Sequence, residues 1–400
     1  GAAKRFEFEP KAGEVLIVDK GASLRIVLAI LPKLPQMFFF LETCRKAMEE
    51  LHGFKSESVY IDLRACGEHA FSLADAVVSS HTALLFEAKH YGKKAKEKKF
   101  FPRLTFFPPE GQKWQGSELV PAIEKACATN LVRYLAGLAG NDLTPSEYVK
   151  RATQSGKAHG LKSQFYSLEK LKKLQAGAFL AVSQACEDRG GGILKLTYRP
   201  ARPKAKVAFV GKGITFDTGG VQLKQGEHMY GMNGDMGGSA LALALVLLAK
   251  QQKWDCEVSA FLAITENAIG PKSFKPNDVV KTLEGKTIEI IDSDAEGRMV
   301  LSDTLALAAQ DKPDLLMDFA TLTGSCIRAI GTGYSGVYSN RSEWFPVLTE
   351  AGRVSGERVW PFPNDEDFGR CLKSDIADIK QCRNSGGVDH IEASYFLRQF

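Results

Sequence analysis

The chain has 400 residues, which is longer than one hydrophobic core usually grows, so its length predicts two domains. Its composition, 44% hydrophobic and 25% charged, is that of an ordinary soluble globular protein, and a net charge of +5 is too small to argue for nucleic acid as a partner. The longest apolar run, residues 236–249, is shorter than the roughly 20 residues of a membrane-spanning helix, so no membrane association is expected.

The cysteines and the start of the chain bear on its location. The eight cysteines show no CxxC pair and no regular spacing, which in a chain of this length indicates free thiols in a reducing compartment. The first residues contain no apolar signal-peptide core. We therefore expect a cytoplasmic protein.

The first part of the chain alternates strand-like and helix-like patterns. Runs of β-branched and aliphatic residues predict strands, and apolar residues at helical spacing predict helices. In chain order these are strands at Glu14–Val18 and Ser23–Ile30, a helix at Met37–Leu51, a strand at Ser58–Leu63, a helix at Ser72–Lys89 with Ser72 as its N-cap, a strand at Arg103–Phe107 and a helix at Glu118–Gly137. We predict a smaller α/β N-terminal domain over residues 1–140, with the lysine-rich run at Lys93–Lys99 as a solvated loop.

A more regular alternation follows. Thr144 before Pro145 predicts the start of a helix within a linker helix region at residues 141–163, ahead of a second domain at 164–400. The second domain's elements are strands at Gln164–Tyr166, Ile193–Tyr198, Val207–Val210, Glu257–Ile264, Thr287–Ile291 and Leu315–Phe319, helices at Leu168–Leu174, Gly237–Lys250 and Ser302–Gln310, and a further element at Phe179–Val182. This pattern predicts an α/β fold with a mixed sheet flanked by helices, and functional residues beyond the carboxyl ends of its strands.

Two short stretches concentrate charge among glycines and apolar residues. Charged side chains are rarely buried unless they are paired or bound to metal, so such stretches indicate a functional site. The first runs from Lys212 to Asp235 and the second is Asp294-Ala-Glu-Gly-Arg298; their charged candidates are Lys212, Asp217, Lys224, Asp235, Asp294, Glu296 and Arg298.

The four acids of these stretches predict a metal site. Like charges gathered in a low-dielectric place would force some carboxyl groups to protonate unless cations were present. Hard oxygen ligands at this density suit one or two divalent metals. Lys212 and Lys224 could neutralise part of the charge, and a lysine of lowered pKa can donate a lone pair. Arg298 stays protonated, so it cannot ligate a metal but can hold an anion.

Other kinds of site fit the residues less well. Gly211-Lys212-Gly213 lacks the GxxxxGK[ST] order of a phosphate loop, and Asp294-Ala-Glu296 taken alone could equally be a surface turn. The stretches contain neither HExxH nor a Cys/His zinc cluster, and His228 is more typical of a structural histidine.

Three hydroxyl groups are candidate nucleophiles. Ser293, Thr215 and Ser239 lack a GxSxG elbow and an evident histidine partner. A water molecule activated by metal is therefore the favoured nucleophile.

The motifs together resemble the signatures of the leucine aminopeptidase family, the two-metal cytosolic aminopeptidases. The resemblance extends from about Asn141 to the end of the chain, with several motifs matching in order and spacing. The matching segments are Lys212-Gly-Ile-Thr-Phe-Asp217-Thr-Gly-Gly, Lys224, Met232, Asp235-Met-Gly-Gly, Asp294-Ala-Glu-Gly-Arg298 and Asp318-Phe-Ala-Thr-Leu-Thr-Gly324. It implies that residues 164–400 form a catalytic metallopeptidase domain.

The resemblance also assigns the metal ligands. It implies two divalent ions, Mn²⁺ or Zn²⁺, with Co²⁺ and Mg²⁺ as further candidates. Asp217 and Glu296 would bridge them, Lys212 and Asp235 would complete the tighter site, and Asp294 the more exchangeable one.

Further residues receive catalytic and substrate-binding roles from the resemblance. Lys224 would stabilise the oxyanion, and Arg298 would hold a bicarbonate acting as general base. Met232 would line the pocket for the first side chain of the substrate. The backbone of Thr321, Leu322, Thr323 and Gly324 would position the substrate.

The activity implied is removal of leucine and other apolar residues from peptide N-termini by a metal-bridging hydroxide, in a cytoplasmic homohexamer. An alternative is a catalytically weak assembly or nucleic-acid-binding protein on the same scaffold.

The sequence departs from the family pattern in two places. Asp292-Ser293 replaces the usual Asn-Thr, and the family continues beyond the segment matching Ala393–Leu397, so a further element is expected after Phe400.

Overall fold

The structure is a computed structural model that describes residues 15–19, 25–29, 37–53, 57–93, 102–384 and 386–400. Two compact units are found: an N-terminal unit, which reaches residue 130 and includes residues 333–335 and 341–361, and a C-terminal unit of residues 131–332, 336–340 and 362–400. The domain boundaries expected at residues 140 and 163 stay a prediction.

The N-terminal unit combines helices with short strands. Its elements are β1 (Val15–Asp19), β2 (Arg25–Ala29), α1 (Met37–Gly53), β3 (Ser58–Asp62), α2 (Ala70–Leu84), β4 (Arg103–Phe107), β12 (Ser335–Val337, in part), α10 (Phe345–Ser355) and β13 (Val359–Pro361). β1 and β2 pair antiparallel, and β3 and β4 pair parallel. Phe40 and Met48 of α1 are buried in one cluster with Leu73 and Val77 of α2.

Two predictions for this unit are affected by the start of α2 and by the limits of the described residues. The helix α2 begins at Ala70 directly after a helical turn at Gly67–His69, so Ser72 lies inside the helix and does not cap it. The turn already supplies the first helical conformations, which moves the helix start ahead of the serine. Most of the lysine-rich run, residues 94–99, lies outside the described residues.

The C-terminal unit holds the larger sheet. Its elements after α3 (Val120–Ala136) are α4 (Pro145–Ala158), β5 (Lys162–Ser167), α5 (Leu168–Lys173), α6 (Gly177–Ser183), β6 (Gly192–Tyr198), β7 (Lys206–Asp217), α7 (Gly237–Gln251), β8 (Glu257–Asn267), β9 (Val279–Lys281), β10 (Thr287–Glu289), α8 (Glu296–Ala309), β11 (Leu315–Phe319), α9 (Gly324–Ile330), β14 (Ile379–Lys380) and α11 (Asp389–Leu397). The sheet order is β11-β7-β8-β6-β5. Strands β11, β7 and β8 are parallel to one another. Strand β6 is antiparallel to β8, and β5 is antiparallel to β6, which confirms the predicted mixed sheet.

Helices cover both faces of this sheet. Successive residues of β6 point to opposite sides: Ile193 joins a buried cluster with Phe179 of α6 and Met299 of α8, whereas Leu194 joins a second cluster with Tyr148 of α4 and Leu243 of α7. Burial on both faces explains why these strands read as continuous apolar runs in the sequence.

Helix α7 is a core helix of the C-terminal unit. Among the described residues, one helical stretch, residues 226–251, is long and apolar enough to cross a membrane by length and composition, and 67% of its most apolar window is buried inside the protein. Leu243, Val246 and Ala240 of this stretch pack against the sheet. Such burial is what an internal helix of a folded domain shows.

Several predicted elements shift when the chain folds. Phe179–Val182 is part of helix α6, and α8 begins at Glu296, well before Ser302. The predicted strand at Thr287–Ile291 ends at Glu289 and lies in a separate small sheet of order β14-β10-β9. Strand β7 continues to Asp217, so Lys212 lies within the strand rather than after it.

Candidate metal centre

Strand β7 brings two of the candidate residues to one face of the sheet. Lys212 and Asp217 are an odd number of positions apart, and side chains of a regular strand at such a spacing point to opposite faces. The pairing of β7 with β8 shifts between Ile214 and Asp217, whose partners are Thr265 and Asn267. Because this bulge adds one residue to β7, it turns Asp217 to the side that Lys212 occupies.

Lys212 is the centre of one group of ion pairs. Its Nζ lies 2.8 Å from Oδ2 of Asp235 and 2.8 Å from Oε1 of Glu296, and it donates to the carbonyl oxygen of Thr321 at 3.1 Å. The hydroxyl of Thr321 donates to the other oxygen of Asp235 at 2.7 Å. Burial alone would lower the pKa of Lys212, but the carboxylates of Asp235 and Glu296 outweigh it and raise that pKa.

Lys224, on the loop that follows β7, forms a second group of ion pairs. Its Nζ pairs with Asp217 at 2.8 Å and with Asp294. Burial would lower the pKa of Lys224, and the carboxylate of Asp217, followed by that of Asp294, raises it. The loop is fixed to Asp217 by Gly219, whose backbone has a φ of +85° and whose N–H donates to Oδ1 of Asp217 at 2.9 Å.

Three carboxylates converge between the two lysines. One oxygen each from Asp217, Asp294 and Glu296 lies within 4.8 Å of the others. Burial, with the neighbouring Asp217 charge as a further cause, raises the pKa of Asp294 to about 6 and that of Glu296 to about 8. Among the described residues, Oε2 of Glu296 is a buried acceptor without a hydrogen-bond partner. Hard oxygen donors with an unsatisfied buried acceptor fit a divalent cation.

The amino end of helix α8 approaches this cluster closely. Glu296 is its first residue, and Gly297 follows. A Cβ at Gly297 would lie 2.7 Å from Cε of Lys212, closer than real side chains allow. The glycine therefore lets the helix start pack directly against the lysine.

Arg298 lies in the same helix but contacts another part of the unit. Its side chain is buried, Nη1 donates to the carbonyl oxygen of Gln381 at 3.2 Å, and Nη2 donates to Oδ1 of Asp389 at 2.6 Å. Asp389 is the first residue of α11. The arginine thus links α8 to the last described helix.

The predicted substrate residues divide into two groups. Thr321 joins the cluster through Lys212 and Asp235. Met232 lies in a helical turn ahead of Asp235, Leu322 packs against the core, and Gly324 begins α9. The carbonyl oxygen of Met232 accepts from the backbone N–H of Asp235 at 3.3 Å, whereas in the described part of the chain no hydrogen bond or ion pair joins Leu322 or Gly324 to the charged cluster. Their predicted roles stay predictions.

The three candidate hydroxyl nucleophiles are held in structural hydrogen bonds. Thr215 donates to the carbonyl oxygen of Thr265 at 3.3 Å, and Ser239 donates to that of Met236 at 2.8 Å. Ser293 donates to the carbonyl oxygen of Gly219 at 2.6 Å. Ser293 therefore fastens the loop before α8 to the loop after β7.

Sequence reasoning missed Asn267. Its Nδ2 donates to Oδ1 of Asp217 at 2.8 Å and to the carbonyl oxygen of Ser293 at 3.0 Å, so one side chain orients a carboxylate and joins two loops. A signal was present: Asn267 ends β8, which pairs with β7 next to Asp217. A polar residue at the carboxyl end of a strand beside a candidate ligand could have been included.

Comparison with known proteins gives a family and close structural relatives. Residues 130–400 match the cytosol aminopeptidase family, catalytic domain. A probable cytosol aminopeptidase of Alkaliphilus metalliredigens is 32% identical over 408 residues, which cover 98% of this chain and 81% of the relative. One of Prochlorococcus marinus is 34% identical, covering 98% and 77%. The match to one of Geobacter sp., 36% identical, covers 78% of this chain and 63% of the relative.

Solved structures resemble the whole chain. The bottromycin maturation enzyme BotP has a TM-score of 0.87 at 26% identity, covering 100% of this chain and 86% of BotP. A second structure of BotP, in complex with Mn, has the same TM-score and coverage at 25% identity. The cytosol aminopeptidase of Coxiella burnetii has a TM-score of 0.84 at 26% identity, covering 100% of this chain and 82% of that one.

Proposed function

The chain belongs to the cytosol aminopeptidase family, and from this premise we propose that it is a metal-dependent aminopeptidase that releases leucine and other apolar residues from peptide N-termini. The single observation that carries the proposal is the convergence of Asp217, Asp294 and Glu296 within 4.8 Å between two lysines. No described feature favours the alternative of an inactive assembly or nucleic-acid-binding protein.

The residues that would hold metal are the clustered acids and one lysine. Asp217 and Glu296 would be shared by two ions, Lys212 and Asp235 would complete one site, and Asp294 the other. Mn²⁺ is a candidate because the BotP relative is described in complex with Mn, and Zn²⁺, Co²⁺ and Mg²⁺ are the others. When bound, the metal pair would activate a water molecule and polarise the scissile carbonyl.

Lys224 would act on the substrate carbonyl directly. Its side chain is 13% exposed, against 3% for Lys212, so its ammonium is the more accessible of the two cations. A positive charge held in place stabilises the negative charge that develops on the carbonyl oxygen in the transition state. The pairing with Asp217 and Asp294 keeps this ammonium beside the carboxylates.

Arg298 would hold a bicarbonate that acts as general base. The clustered carboxylates are needed for metal, and the guanidinium cannot accept a proton at working pH. Its Nε is a buried donor with no hydrogen-bond partner among the described residues, which supports an anion there.

The residues proposed to bind the substrate are taken from the family likeness. The backbone of residues 321–324 would position the peptide, and Met232 would line the pocket for its first side chain. The carbonyl oxygen of Thr321 already accepts from Lys212, which supports a place for this segment beside the acids. A cytoplasmic location is supported by the eight free cysteines.

Metal removal tests the proposal. We expect hydrolysis of a chromogenic leucyl amide to stop after dialysis against a chelator and to return with Mn²⁺, Zn²⁺ or Co²⁺. Glutamyl and arginyl amides serve as controls for apolar preference and should turn over more slowly. If none of these metals supports release of leucine, the chain is not an aminopeptidase of this kind.

A further inference from the structure

The guanidinium of Arg298 is paired incompletely. Nη1 is used by the carbonyl oxygen of Gln381, and Nη2 by one oxygen of Asp389 at 2.6 Å. The Nε donor, on the same edge of the guanidinium as Nη2, has no hydrogen-bond partner among the described residues although it is buried. A planar anion usually binds both donors of such an edge at once. Asp389 therefore fills only half of an anion position.

The two partners differ in how firmly they are held. The Arg298 side chain is 3% exposed, whereas the Asp389 side chain is 40% exposed. Asp389 is the first residue of α11, so its carboxylate stands at a helix end rather than inside packed structure. The arginine is fixed, and the carboxylate has solvent into which it can turn.

Other carboxylates lie near this position. The pKa of Cys382 is raised to about 12, first by burial, and the charges of Arg298, Asp292 and Asp389 all act on this thiol. Asp292 hydrogen-bonds to the N–H of Asp294 and makes no ion pair with Arg298 in the described structure. Three acids act on this thiol, Asp292, Asp389 and Glu392, and among the described residues only Asp389 forms an ion pair with Arg298.

We propose that Asp389 is an internal competitor for the anion position of Arg298. Its carboxylate holds Nη2, and an external planar anion such as bicarbonate gains Nε and Nη2 together only after Asp389 turns away. The inference rests on the proposed function, in which Arg298 holds that anion. Asp389 is a positioning residue here, since it acts through Arg298, and it sets how much bicarbonate the protein needs.

Titration calorimetry with sodium bicarbonate tests the competition. It is carried out on metal-loaded protein in carbonate-depleted buffer at pH 8, with wild type, Asp389→Asn and Asp292→Asn. Losing a competing charge-assisted hydrogen bond should tighten bicarbonate binding to Asp389→Asn about tenfold. Asp292→Asn removes the same charge nearby without freeing Arg298, and should change the dissociation constant by less than about threefold.

Each other outcome overturns the proposal. If Asp389→Asn binds bicarbonate no more tightly than wild type, Asp389 does not compete for the anion position. If Asp292→Asn gains as much affinity as Asp389→Asn, the gain comes from the loss of a nearby negative charge and not from freeing Arg298. An Arg298→Ala variant that binds bicarbonate as wild type does would place the anion elsewhere, and absence of binding to every variant would show that Arg298 holds no bicarbonate. Asp389→Ser repeats the test if Asp389→Asn fails to give the wild-type circular dichroism spectrum.

Turnover of the leucyl amide is measured separately on the same samples. Failure of all samples to hydrolyse it would contradict the proposed aminopeptidase, whereas the relative bicarbonate affinities would still decide the role of Asp389. In an active enzyme, the bicarbonate concentration for half-maximal stimulation should fall in Asp389→Asn in parallel with the dissociation constant.

Discussion

At the scale of single residues, the two lysines of the site differ in what they bridge. Lys212 lies between Asp235 and Glu296 and is almost fully buried, whereas Lys224 lies between Asp217 and Asp294 at a more exposed position. In the sequence both are lysines in one glycine-rich stretch. The ligand role proposed for Lys212 comes from the family likeness and requires the ammonium to lose a proton when metal binds, whereas the greater exposure of Lys224 supports its proposed charge role.

Substitution of each lysine tests this division. Lys212→Ala should lower both metal occupancy and rate, because it would remove a ligand. Lys224→Ala should keep its metal but lower kcat by about 10²–10³-fold, since its charge is needed where oxyanion charge develops. Metal analysis of the purified variants, each serving as the control for the other, decides it. Equal metal loss in both would show that the roles are not divided.

Gly297 gives a steric test of the same site. In Gly297→Ala the new Cβ would stand 2.7 Å from Cε of Lys212, so the lysine must leave its place between Asp235 and Glu296. We expect weaker metal binding, by about tenfold or more, with the fold retained. Gly234→Ala is the matched control, because its Cβ would meet only a carbonyl oxygen at 3.9 Å. Unchanged metal affinity in Gly297→Ala would contradict the tight packing.

At the scale of elements, one buried acid joins three segments of the C-terminal unit. Asp303 of α8 is fully buried and accepts from the N–H of Phe179, in the first turn of α6, at 2.9 Å and from the N–H of Leu283 at 2.7 Å. Burial raises the pKa of Asp303 to about 6, and these donors act against that rise. The carboxylate satisfies donors at the start of α6 that have no partner inside the helix.

Removing this carboxylate should destabilise the unit. Asp303→Ala leaves the buried N–H of Phe179 and the partly buried N–H of Leu283 without this acceptor, and we expect a loss of about 2–4 kcal/mol in the free energy of unfolding. Urea titration followed by circular dichroism measures it. Thr304→Val, at the next buried position, removes only a hydrogen bond to Val300 inside the same helix and should cost under about 1 kcal/mol. Similar losses of unfolding free energy in both variants would mean that the hydrogen bonds of Asp303 to other segments stabilise the unit no more than a hydrogen bond within one helix.

At the scale of the whole molecule, we propose a homohexamer on the basis of the family likeness. Multi-angle light scattering of metal-loaded protein should give the mass of six chains, and the assembly should cleave short peptides but not folded proteins. A monomer mass under these conditions would contradict the proposal. Measurement over a range of concentrations controls for dissociation on dilution.

The sequence alone determined those elements whose formation depends on residues close together in the chain. Strands β6, β8 and β11 and helix α7 were predicted because their apolar runs and periodicity are local properties. Thr144 caps α4 with Pro145 at its first position, as the dipeptide predicts. The two charged stretches of the site could be recognised because the residues of each stretch lie close together in the sequence.

Only the tertiary structure decided the rest. The short apolar run Phe179–Val182 fits a strand or a helix equally until its packing against α8 makes it helical. The bulge that turns Asp217 toward Lys212 exists through pairing with β8, and Asp389, which pairs with Arg298, lies 91 residues after it in the chain. These arrangements depend on contacts between residues distant in sequence, and local propensity and periodicity contain no information about such contacts.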